Sequence, residues 1–236
     1  MHIKILGTRG EIKDSAPYHS HHSGVLIDQT LLIDLGEREY LNANPKAILI
    51  THLHPDHAYF VSDKEERVPS DIPVFAPEKS GYSDIKLLDK KKNIAGYSVY
   101  PIPTHHSLKV KSQAYRIERG SQKILYTGDM IWINKEFHSL LDGLDLVITD
   151  GSYLRKGGLI RRDQKTGRIY GHNGIPDLIH LFKDYCHHLI FIHFGSWFYQ
   201  DTATARKKLD NLARENEIII TVGYDNMSID LSRTHK

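Results

Sequence analysis

The sequence predicts an α/β fold, because short apolar, strand-like runs are interspersed with helix-like segments in both halves of the chain. Residues 2–6 and 46–50 are runs of this kind, and each is followed by turn or loop residues. Residues 202–216 form a strongly charged segment with the apolar period of a helix. No internal repeat, low-complexity segment or linker divides these elements, so we expect one domain over residues 1–236.

The other elements are predicted from the same patterns. Two apolar runs, residues 24–28 and 31–34, flank Gln29 and Thr30 and indicate a β-hairpin. Residues 155–170 are rich in glycine and basic side chains and are predicted as a mobile loop. Helices are predicted at residues 37–44, 77–92 and 175–185, where the segment 77–92 is either a helix or a helix with an adjoining loop. Further strands are predicted at residues 72–76, 97–102, 114–117, 123–127, 144–149, 188–193, 217–222 and 227–231.

The composition is typical of a soluble globular protein. Of 236 residues, 40% are apolar and 25% charged, and the net charge of +2 is too small to identify a nucleic-acid binder. The one cysteine, Cys186, excludes an intramolecular disulfide and is expected to be a buried thiol. Neither a signal peptide nor a membrane span is visible, so we expect a cytoplasmic protein with no membrane partner.

The densest group of candidate functional residues follows a predicted buried strand. His52, His54, Asp56 and His57 supply four potential metal ligands within six positions. Pro55 stops the strand, so the segment is expected to be a loop at the strand's end. His52 and His54 point the same way, since they are two apart in an extended segment, whereas Asp56 and His57 can face a second ion. Imidazole and carboxylate together favour zinc, manganese or iron over calcium or magnesium.

The segment His52-Leu53-His54-Pro55-Asp56-His57 resembles the His-x-His-x-Asp-His signature of the metallo-β-lactamase-fold hydrolases. This resemblance implies an αββα sandwich of two mixed β-sheets flanked by helices. It also implies a site for one or two metal ions at one edge. Three more ligands are implied downstream, namely a histidine, a bridging aspartate and a last histidine, each at the end of a strand.

Three positions match those downstream ligands. His106 follows the strand predicted at 97–102, with His105 as a possible substitute. Asp129 follows an apolar strand and Gly128, and an aspartate here, instead of a cysteine, disfavours β-lactam hydrolysis. The last histidine matches His193. The resemblance thus implies two divalent ions, zinc first and manganese or iron as alternatives, held by His52, His54, His106, Asp56, His57, His193 and the bridging Asp129.

The implied chemistry is hydrolysis by a hydroxide held between the two ions. Two cations lower the pKa of a bound water enough to make it a nucleophile at neutral pH. Asp56 has a second implied role, since its carboxylate can orient the nucleophile by accepting its proton.

A narrower resemblance is to ribonuclease Z and its phosphodiesterase relatives. Leu6-Gly7-Thr8, the Leu31 to Glu37 stretch and His193-Phe194 are similar to segments of that group. Gly171-His172 matches a Gly-His that supplies a non-ligand histidine to the scissile phosphate, so His172 would stabilise the phosphorane or protonate the leaving oxygen. The alternative is a helix-capping or surface residue.

Other features of the sequence leave the substrate open. The short interval between His106 and Asp129 has no room for the tRNA-gripping arm of ribonuclease Z, so a smaller or undefined phosphodiester, small molecule or nucleic acid, is expected. The basic residues 155–170 could contact phosphate, cover the site or be solvated. Near the start of the chain, the histidines that could lie at the rim of the site are His19, His21 and His22.

Two rival functions remain on the same sequence. An ester, thioester or lactone hydrolase could use the same dinuclear site, because only the pocket selects the substrate. A fold relative kept as a non-catalytic binding subunit is the other alternative, and the presence of all seven ligands argues against it. A homodimer is a possible assembly, although no sequence feature defines its interface.

Overall fold

The computed structural model of the chain describes residues 1–62, 65–69, 71–81 and 84–231. Within these residues the strands are β1 (His2–Gly7), β2 (Gly24–Ile27), β3 (Leu31–Ile33), β4 (Ala47–Leu49), β5 (Val74–Ala76), β6 (Ile85–Leu87), β7 (Lys92–Ile94), β8 (Tyr97–His105), β9 (Ser112–Arg119), β10 (Gln122–Tyr126), β11 (Trp132–Ile133), β12 (Leu146–Asp150), β13 (Leu159–Arg162), β14 (Ile169–His172), β15 (His188–Ile192), β16 (Ile219–Val222) and β17 (Ser228–Asp230). The α-helices are α1 (Ile175–Phe182), α2 (Ser196–Tyr199) and α3 (Thr202–Asn216). Short 3-10 helices lie at Arg38–Ala43, Tyr59–Val61 and Lys135–Leu141. No helix in this part of the chain is long and apolar enough to cross a membrane.

Two mixed β-sheets form the centre of the fold. The first has the strand order β17-β1-β2-β3-β4-β5-β6, and the second has β11-β8-β9-β10-β12-β15-β16 with β7 paired to β8. Strands β3 to β6 are parallel in the first sheet, and β10, β12, β15 and β16 are parallel in the second. Strands β13 and β14 form a separate hairpin. Because neighbouring parallel strands end on the same side, each sheet offers one edge where several loops meet.

The main hydrophobic core lies between the two sheets. Ile3 and Ile5 of the first sheet belong to one buried cluster with Ile124 and Tyr126 of the second. These residues are two apart in their strands and therefore share a face of their sheet. Leu125, which lies between two of them, belongs to a different buried cluster on the outer face of the second sheet.

Helices cover the outer faces of both sheets. On the second sheet, Leu178 and Phe182 of α1 pack in the same cluster as Leu125. On the first sheet, the 3-10 helices contribute Tyr40 and Phe60 to a third cluster. Strands that are buried on both faces read as nearly continuous apolar runs, which is why the sequence identified them. These layers confirm the predicted sandwich of two mixed sheets flanked by helices.

Most of the predicted elements are found. The predicted hairpin around Gln29 and Thr30 joins β2 to β3, which are antiparallel. The helices predicted at residues 37–44, 175–185 and 202–216 correspond to the 3-10 helix Arg38–Ala43, to α1 and to α3.

The helix predicted at residues 77–92 is wrong. The segment contains β6 and reaches β7, while residues 82 and 83 lie outside the described part of the chain. Ile85 pairs with Val74 and extends the parallel half of the first sheet. Within the segment Ile85 and Leu88 are buried, which is too little apolar surface to hold an amphipathic helix against a core.

The mobile loop predicted at residues 155–170 is also wrong, because much of it is the hairpin of β13 and β14. An Asx-type turn closes the hairpin. The Asp163 carboxylate accepts hydrogen bonds from the Thr166 amide at 2.6 Å and the Thr166 hydroxyl at 2.7 Å. Gly167 has a φ of +70°, which glycine adopts without strain. The glycine and basic composition therefore marked a turn between two strands.

A buried aspartate near the end of the chain fixes the long loop after β1. The Asp225 carboxylate accepts hydrogen bonds from the Thr8 hydroxyl at 2.9 Å and from the Ser20 amide at 2.7 Å. His19 donates to the Thr8 hydroxyl over 3.0 Å, and its other ring nitrogen accepts from Arg206 over 2.8 Å. This arrangement requires a neutral imidazole, because only a neutral ring has a nitrogen that can accept.

We predict that a His19→Gln variant loses less stability than the parent protein when the pH falls from about 6.5 to about 4. Burial, and then the Arg206 guanidinium, lower the pKa of His19 from 6.5 to about 4. Between these values the unfolded chain binds a proton that the folded protein excludes. The stabilisation is therefore complete above the unfolded pKa and declines as the pH falls. Urea unfolding of both proteins in EDTA measures this difference, and identical pH profiles would contradict it.

Candidate metal centre

The candidate site lies where the parallel strands of both sheets end. The loop that begins with Thr51 and His52 follows β4 of the first sheet. In the second sheet Asp129 follows β10, Asp150 ends β12 and His193 follows β15. Side chains that are far apart in sequence therefore meet at one edge of the sandwich.

Three histidines form the first group of candidate ligands. The Nε2 atom of His52 lies 3.1 Å from Nδ1 of His54, and Nε2 of His106 lies 3.3 Å from the same atom. Nitrogen ligands about 2.0–2.1 Å from a tetrahedral ion lie roughly 3.3–3.4 Å from one another, so the spacing suits one ion. Burial lowers the pKa of His52 well below its usual range and that of His106 to about 4, which keeps both rings neutral.

Asp56, His57, Asp129 and His193 form the second group, and all four are buried. Nε2 of His193 lies 2.9 Å from the Asp56 carboxylate, and Nε2 of His57 lies 3.2 Å from the Asp129 carboxylate. Burial opposes ionisation of Asp56, but His57 and then His193 outweigh it and hold its pKa at about 2. Burial also opposes protonation of both histidines, yet the neighbouring carboxylates, Asp129 first, raise their pKa well above the usual range.

Asp129 lies between the two groups, and its two oxygens face different partners. Oδ2 lies 3.7 Å from Nε2 of both His52 and His106. Oδ1 lies 3.2 Å from His57 and 3.3 Å from His193. Although they lie 3.2 Å apart, Oδ1 of Asp129 and Nε2 of His57 are not aligned for a hydrogen bond, and among the described residues neither buried atom has another hydrogen-bond partner. Such atoms are costly unless a ligand satisfies them, so these side chains fit a pair of divalent ions.

Hydrogen bonds to the far side of the rings orient the histidines. A metal ligand of this type offers one nitrogen to the ion and places the other on a polar neighbour, which fixes the tautomer. Four rings have this arrangement through Nδ1, with His52 next to the Thr51 hydroxyl at 3.1 Å, His57 next to Asp34 at 2.7 Å, His106 next to the Gly171 carbonyl at 3.0 Å and His193 next to the Ser152 hydroxyl at 2.9 Å. In each case Nε2 is the nitrogen left for an ion.

Asp34 supports this site from behind. Its fully buried carboxylate accepts hydrogen bonds from the Thr51 amide at 2.7 Å and from the Tyr126 hydroxyl at 2.9 Å, besides His57. Burial and the neighbouring Asp34 raise the pKa of Tyr126 well above its usual range, so the phenol stays a donor. The sequence showed Asp34 only as part of a family-like segment and gave no sign of this role.

His172 lies beside the cluster and pairs with an aspartate. Its Nδ1 lies 2.7 Å from the Asp150 carboxylate, and its ring stacks on His193 with 5.8 Å between centroids. Burial lowers the pKa of His172, but Asp150 and then Asp129 reverse this and raise it. His172 ends β14, and the helix that follows is capped by Gly174 instead. Asp150 could have been found from the sequence, since it ends an apolar strand that neighbours two other ligand-bearing strands.

The structure also distinguishes the remaining histidines. His106 is buried in the cluster, whereas His105 is bonded to the Asn134 side-chain oxygen over 2.9 Å on the exposed side. His19 is buried against Arg206, as described above. His21 pairs with Glu39 over 3.2 Å, and His22 accepts a hydrogen bond from Arg9 over 2.9 Å. None of the three early histidines lines the cavity at the cluster, within the part of the chain described.

That cavity, called the inner cavity below, has a volume of about 380 Å³. Residues that the sequence did not mark as functional form much of its wall. Glu11 and Ile12 reach it from the loop after β1, Tyr153 lines it from the loop after β12, and Trp197 lines it from α2. The remaining lining residues used below are His54, Asp56, His106, Asp129, His172 and His193.

Gly128 allows Asp129 to lie close to the loop after β4, and substitution of Gly128 tests this contact. A Cβ at Gly128 would lie 2.6 Å from the Thr51 hydroxyl, whereas a Cβ at Gly120 would meet nothing within 4 Å. Both glycines have positive φ, +57° and +61°. We predict that Gly120→Ala costs about 1–2 kcal/mol from backbone strain alone. Gly128→Ala should cost about 1–3 kcal/mol more, because the core at Thr51 is overpacked. Urea unfolding measures both, and equal losses would contradict the proposed contact.

Comparisons with known proteins agree with this geometry. The chain matches the family described as "Beta-lactamase superfamily domain" over residues 33–194. No match to a curated protein was found. Among solved structures, the metallo-beta-lactamase fold protein YhfI from Bacillus subtilis has a TM-score of 0.68 at 15% identity, covering 97% of this chain and 99% of that chain. A diphosphatase from the PhnP family has a TM-score of 0.65 at 16% identity, covering 97% of each chain. Human tRNase Z, short form, has a TM-score of 0.62 at 16% identity, covering 98% of this chain and 99% of that one.

Identities this low show the fold alone. The family match, however, spans more than half of the chain and contains every ligand position that the sequence predicted. The protein therefore belongs to the metallo-β-lactamase superfamily of hydrolases and has its two-sheet fold.

Proposed function

We propose that this protein is a dinuclear metal-dependent hydrolase that cleaves phosphodiester bonds. The observation that carries the proposal is the pair of His172 and Asp150. His172 lines the cavity at the seven-residue ligand cluster without belonging to that set of ligands, and the Asp150 carboxylate holds its ring. A protonated, positioned imidazole beside a metal centre suits a reaction in which an alkoxide or a phosphorane oxygen develops negative charge.

The ligand assignment follows the two groups described above. Each assigned histidine directs one ring nitrogen into the cluster, and Asp129 offers one oxygen to each side. The donor set of imidazole and carboxylate favours zinc, with manganese or iron as alternatives. In this proposal the first ion is held by His52, His54 and His106, the second by Asp56, His57 and His193, and both by Asp129.

When bound, two divalent ions would supply Lewis acidity and a water of lowered pKa in the inner cavity. Asp56 is the residue proposed to orient and deprotonate the nucleophile. Its Oδ2 is the atom that lies 2.9 Å from His193, so its carboxylate is held in place while it faces the cavity. A pKa of about 2 keeps this carboxylate ionised at neutral pH, as a proton acceptor must be.

His172 is proposed to donate a proton or a hydrogen bond to the departing oxygen. Asp150 accepts from Nδ1 and fixes the ring, which leaves Nε2 as the nitrogen available to the inner cavity. Positioned general acids of this kind contribute about 10²–10⁴-fold to rates. A thioester has a less basic leaving group, a thiolate, and gains less from such a residue.

The names of the neighbouring structures support a phosphate-centred reaction, since two of them are a diphosphatase and a tRNase Z. The substrate in this proposal is a phosphodiester, either a small molecule or nucleic acid. A cytoplasmic location is part of the same proposal, because Cys186 is a buried free thiol. Homodimeric assembly is proposed with it.

We predict metal-dependent hydrolysis of bis(p-nitrophenyl) phosphate by protein that has been stripped with a chelator and reloaded with zinc or manganese. Asp56→Ala should lose the reaction and part of its bound metal, since it removes a ligand and the proton acceptor together. His172→Ala should keep its metal, because it removes only the acid. Its kcat should fall about 10²-fold or more on the dinucleoside monophosphate TpT, whose alkoxide leaving group needs a proton, and much less on bis(p-nitrophenyl) phosphate, whose phenolate does not. Metal analysis and initial rates on the same preparations measure both quantities.

A thioester and a lactone assayed alongside separate the alternatives. Cleavage of these two without the phosphodiester would move the protein to the ester-hydrolase alternative. Two bound metals with no turnover of any substrate would favour a binding subunit. Phosphodiester cleavage that survives complete metal removal would overturn the metalloenzyme proposal.

We further predict that Asp150→Asn lowers kcat for TpT about 10-fold or more while the metal content is unchanged. The amide cannot hold the imidazolium of His172 as a carboxylate does, so the acid is less often charged and correctly turned. The matched control is Asp163→Asn, which changes a carboxylate in the turn of the β13–β14 hairpin and should leave kcat within twofold. Equal effects of the two substitutions would contradict a role for Asp150.

A further inference from the structure

A second cavity adjoins the inner one and is not explained by hydrolysis alone. It has a volume of about 370 Å³, within the range of roughly 300–1,000 Å³ that small-molecule sites occupy. His106 lines both cavities, so the two spaces adjoin at one candidate ligand. We call it the outer cavity, and the lining residues that matter here are Pro101, Pro103, His106, Lys111, Arg168 and Ile169.

Contacts near His54 connect the outer cavity to the metal centre. The Ser107 hydroxyl lies 3.5 Å from Nε2 of His54, and the Ser107 carbonyl accepts a hydrogen bond from Arg168 over 3.3 Å. Ser107 therefore lies between the guanidinium of Arg168 and the candidate ligand His54. This hydrogen bond goes to a neutral carbonyl and leaves the positive charge of Arg168 uncompensated at that contact.

The two cavities differ in charge and polarity. Among its described lining residues the outer cavity has two cations, Lys111 and Arg168, and one carboxylate, Asp89. The inner cavity is lined by the carboxylates Glu11, Asp56 and Asp129. The two proposed ions would offset these carboxylates and hold the scissile phosphate, so a second anionic group is favoured at Lys111 and Arg168 on the outer side, where Coulomb attraction acts over a short range.

The rest of the outer wall suits the organic part of a nucleotide. Pro101 and Pro103 on β8 and Ile169 on β14 provide apolar, rigid surface in the same cavity as the cations. A sugar and base can pack against such surface while a phosphate reaches Arg168 and Lys111.

We propose that the outer cavity binds the substrate beyond its scissile phosphodiester and that this part of the substrate carries a second phosphate, held by Arg168 and Lys111. The substrate class is then a nucleotide joined through the scissile phosphate, as in a terminally phosphorylated dinucleotide or a nucleic-acid strand. This inference rests on the proposed function, which supplies the position of the scissile phosphate.

The test compares substrates that differ by one terminal phosphate. The dinucleoside monophosphate TpT has only the scissile phosphate, whereas pTpT and TpTp each carry one more. We expect metal-loaded protein to cleave one of the two phosphorylated compounds about tenfold better in kcat/KM than TpT. The gain should shrink as salt rises from 50 to 300 mM, because it is electrostatic.

Variants assign the gain to the outer cavity. In Arg168→Gln the kcat/KM for the preferred phosphorylated compound should exceed that for TpT by less than about twofold. Lys111→Gln should lower the same ratio. Arg162→Gln is the matched control. Arg162 lies on the same hairpin and also donates to a carbonyl, that of Gly167 over 2.8 Å, but it does not line the outer cavity. A ratio near one in the parent protein, or an equal loss in Arg162→Gln, would overturn the inference.

A binding measurement separates this inference from the proposed function. Calorimetry with pTpT, TpTp and TpT on metal-free protein and on Arg168→Gln gives the same comparison without turnover. A preference in Kd for a phosphorylated compound that depends on Arg168, together with no cleavage by the metal-loaded protein, would support the outer cavity and overturn the phosphodiesterase proposal. Cleavage without any preference would do the reverse, and the absence of both would overturn both. Where the preference holds, comparing the dinucleotide with octathymidylate distinguishes a small molecule from nucleic acid.

Discussion

The arrangement of the site depends on one buried carboxylate, Asp34. Burying an ionised carboxylate costs several kcal/mol unless donors satisfy it, and Asp34 has donors from three residues. His57 and Thr51 belong to the loop after β4, whereas Tyr126 belongs to the other sheet. Asp34 thereby ties the ends of both sheets together and turns Nε2 of His57 towards Asp129.

Thr51 connects Asp34 to the rest of the cluster through direct contacts. Its hydroxyl donates to Asp34, lies 3.1 Å from Nδ1 of His52 and packs against Gly128. The residue before Asp129 must therefore lack a side chain, because β10 approaches the loop too closely for one. The ligand loop and the bridging aspartate are positioned by the same few atoms, so the two candidate ion sites cannot be adjusted independently.

The sequence predicted the parts of this site that are local. Four ligands within six positions after a strand form a pattern that the chain carries by itself, whereas Asp129 was located through the resemblance to the metallo-β-lactamase-fold hydrolases. The pairing of Asp150 with His172 is not local, since it depends on where β14 lies against the second sheet. The error at residues 77–92 has the same origin, because pairing with β5 decided the conformation of Ile85. Register between distant strands is the information that local periodicity lacks.

The hairpin of β13 and β14 contributes residues to both cavities. Gly171 donates its amide to the His106 carbonyl over 2.7 Å, and its carbonyl faces Nδ1 of His106 over 3.0 Å. The next residue is His172, and Arg168 lies three positions earlier. β14 and the residue before it thus orient the candidate ligand His106 and supply the proposed acid, His172, and the proposed phosphate contact, Arg168. Since Gly171 makes these bonds through its backbone, the turn at Asp163 can change in length or charge without disturbing the metal centre. Selectivity for the substrate could then change in the hairpin while the hydrolytic geometry stays fixed.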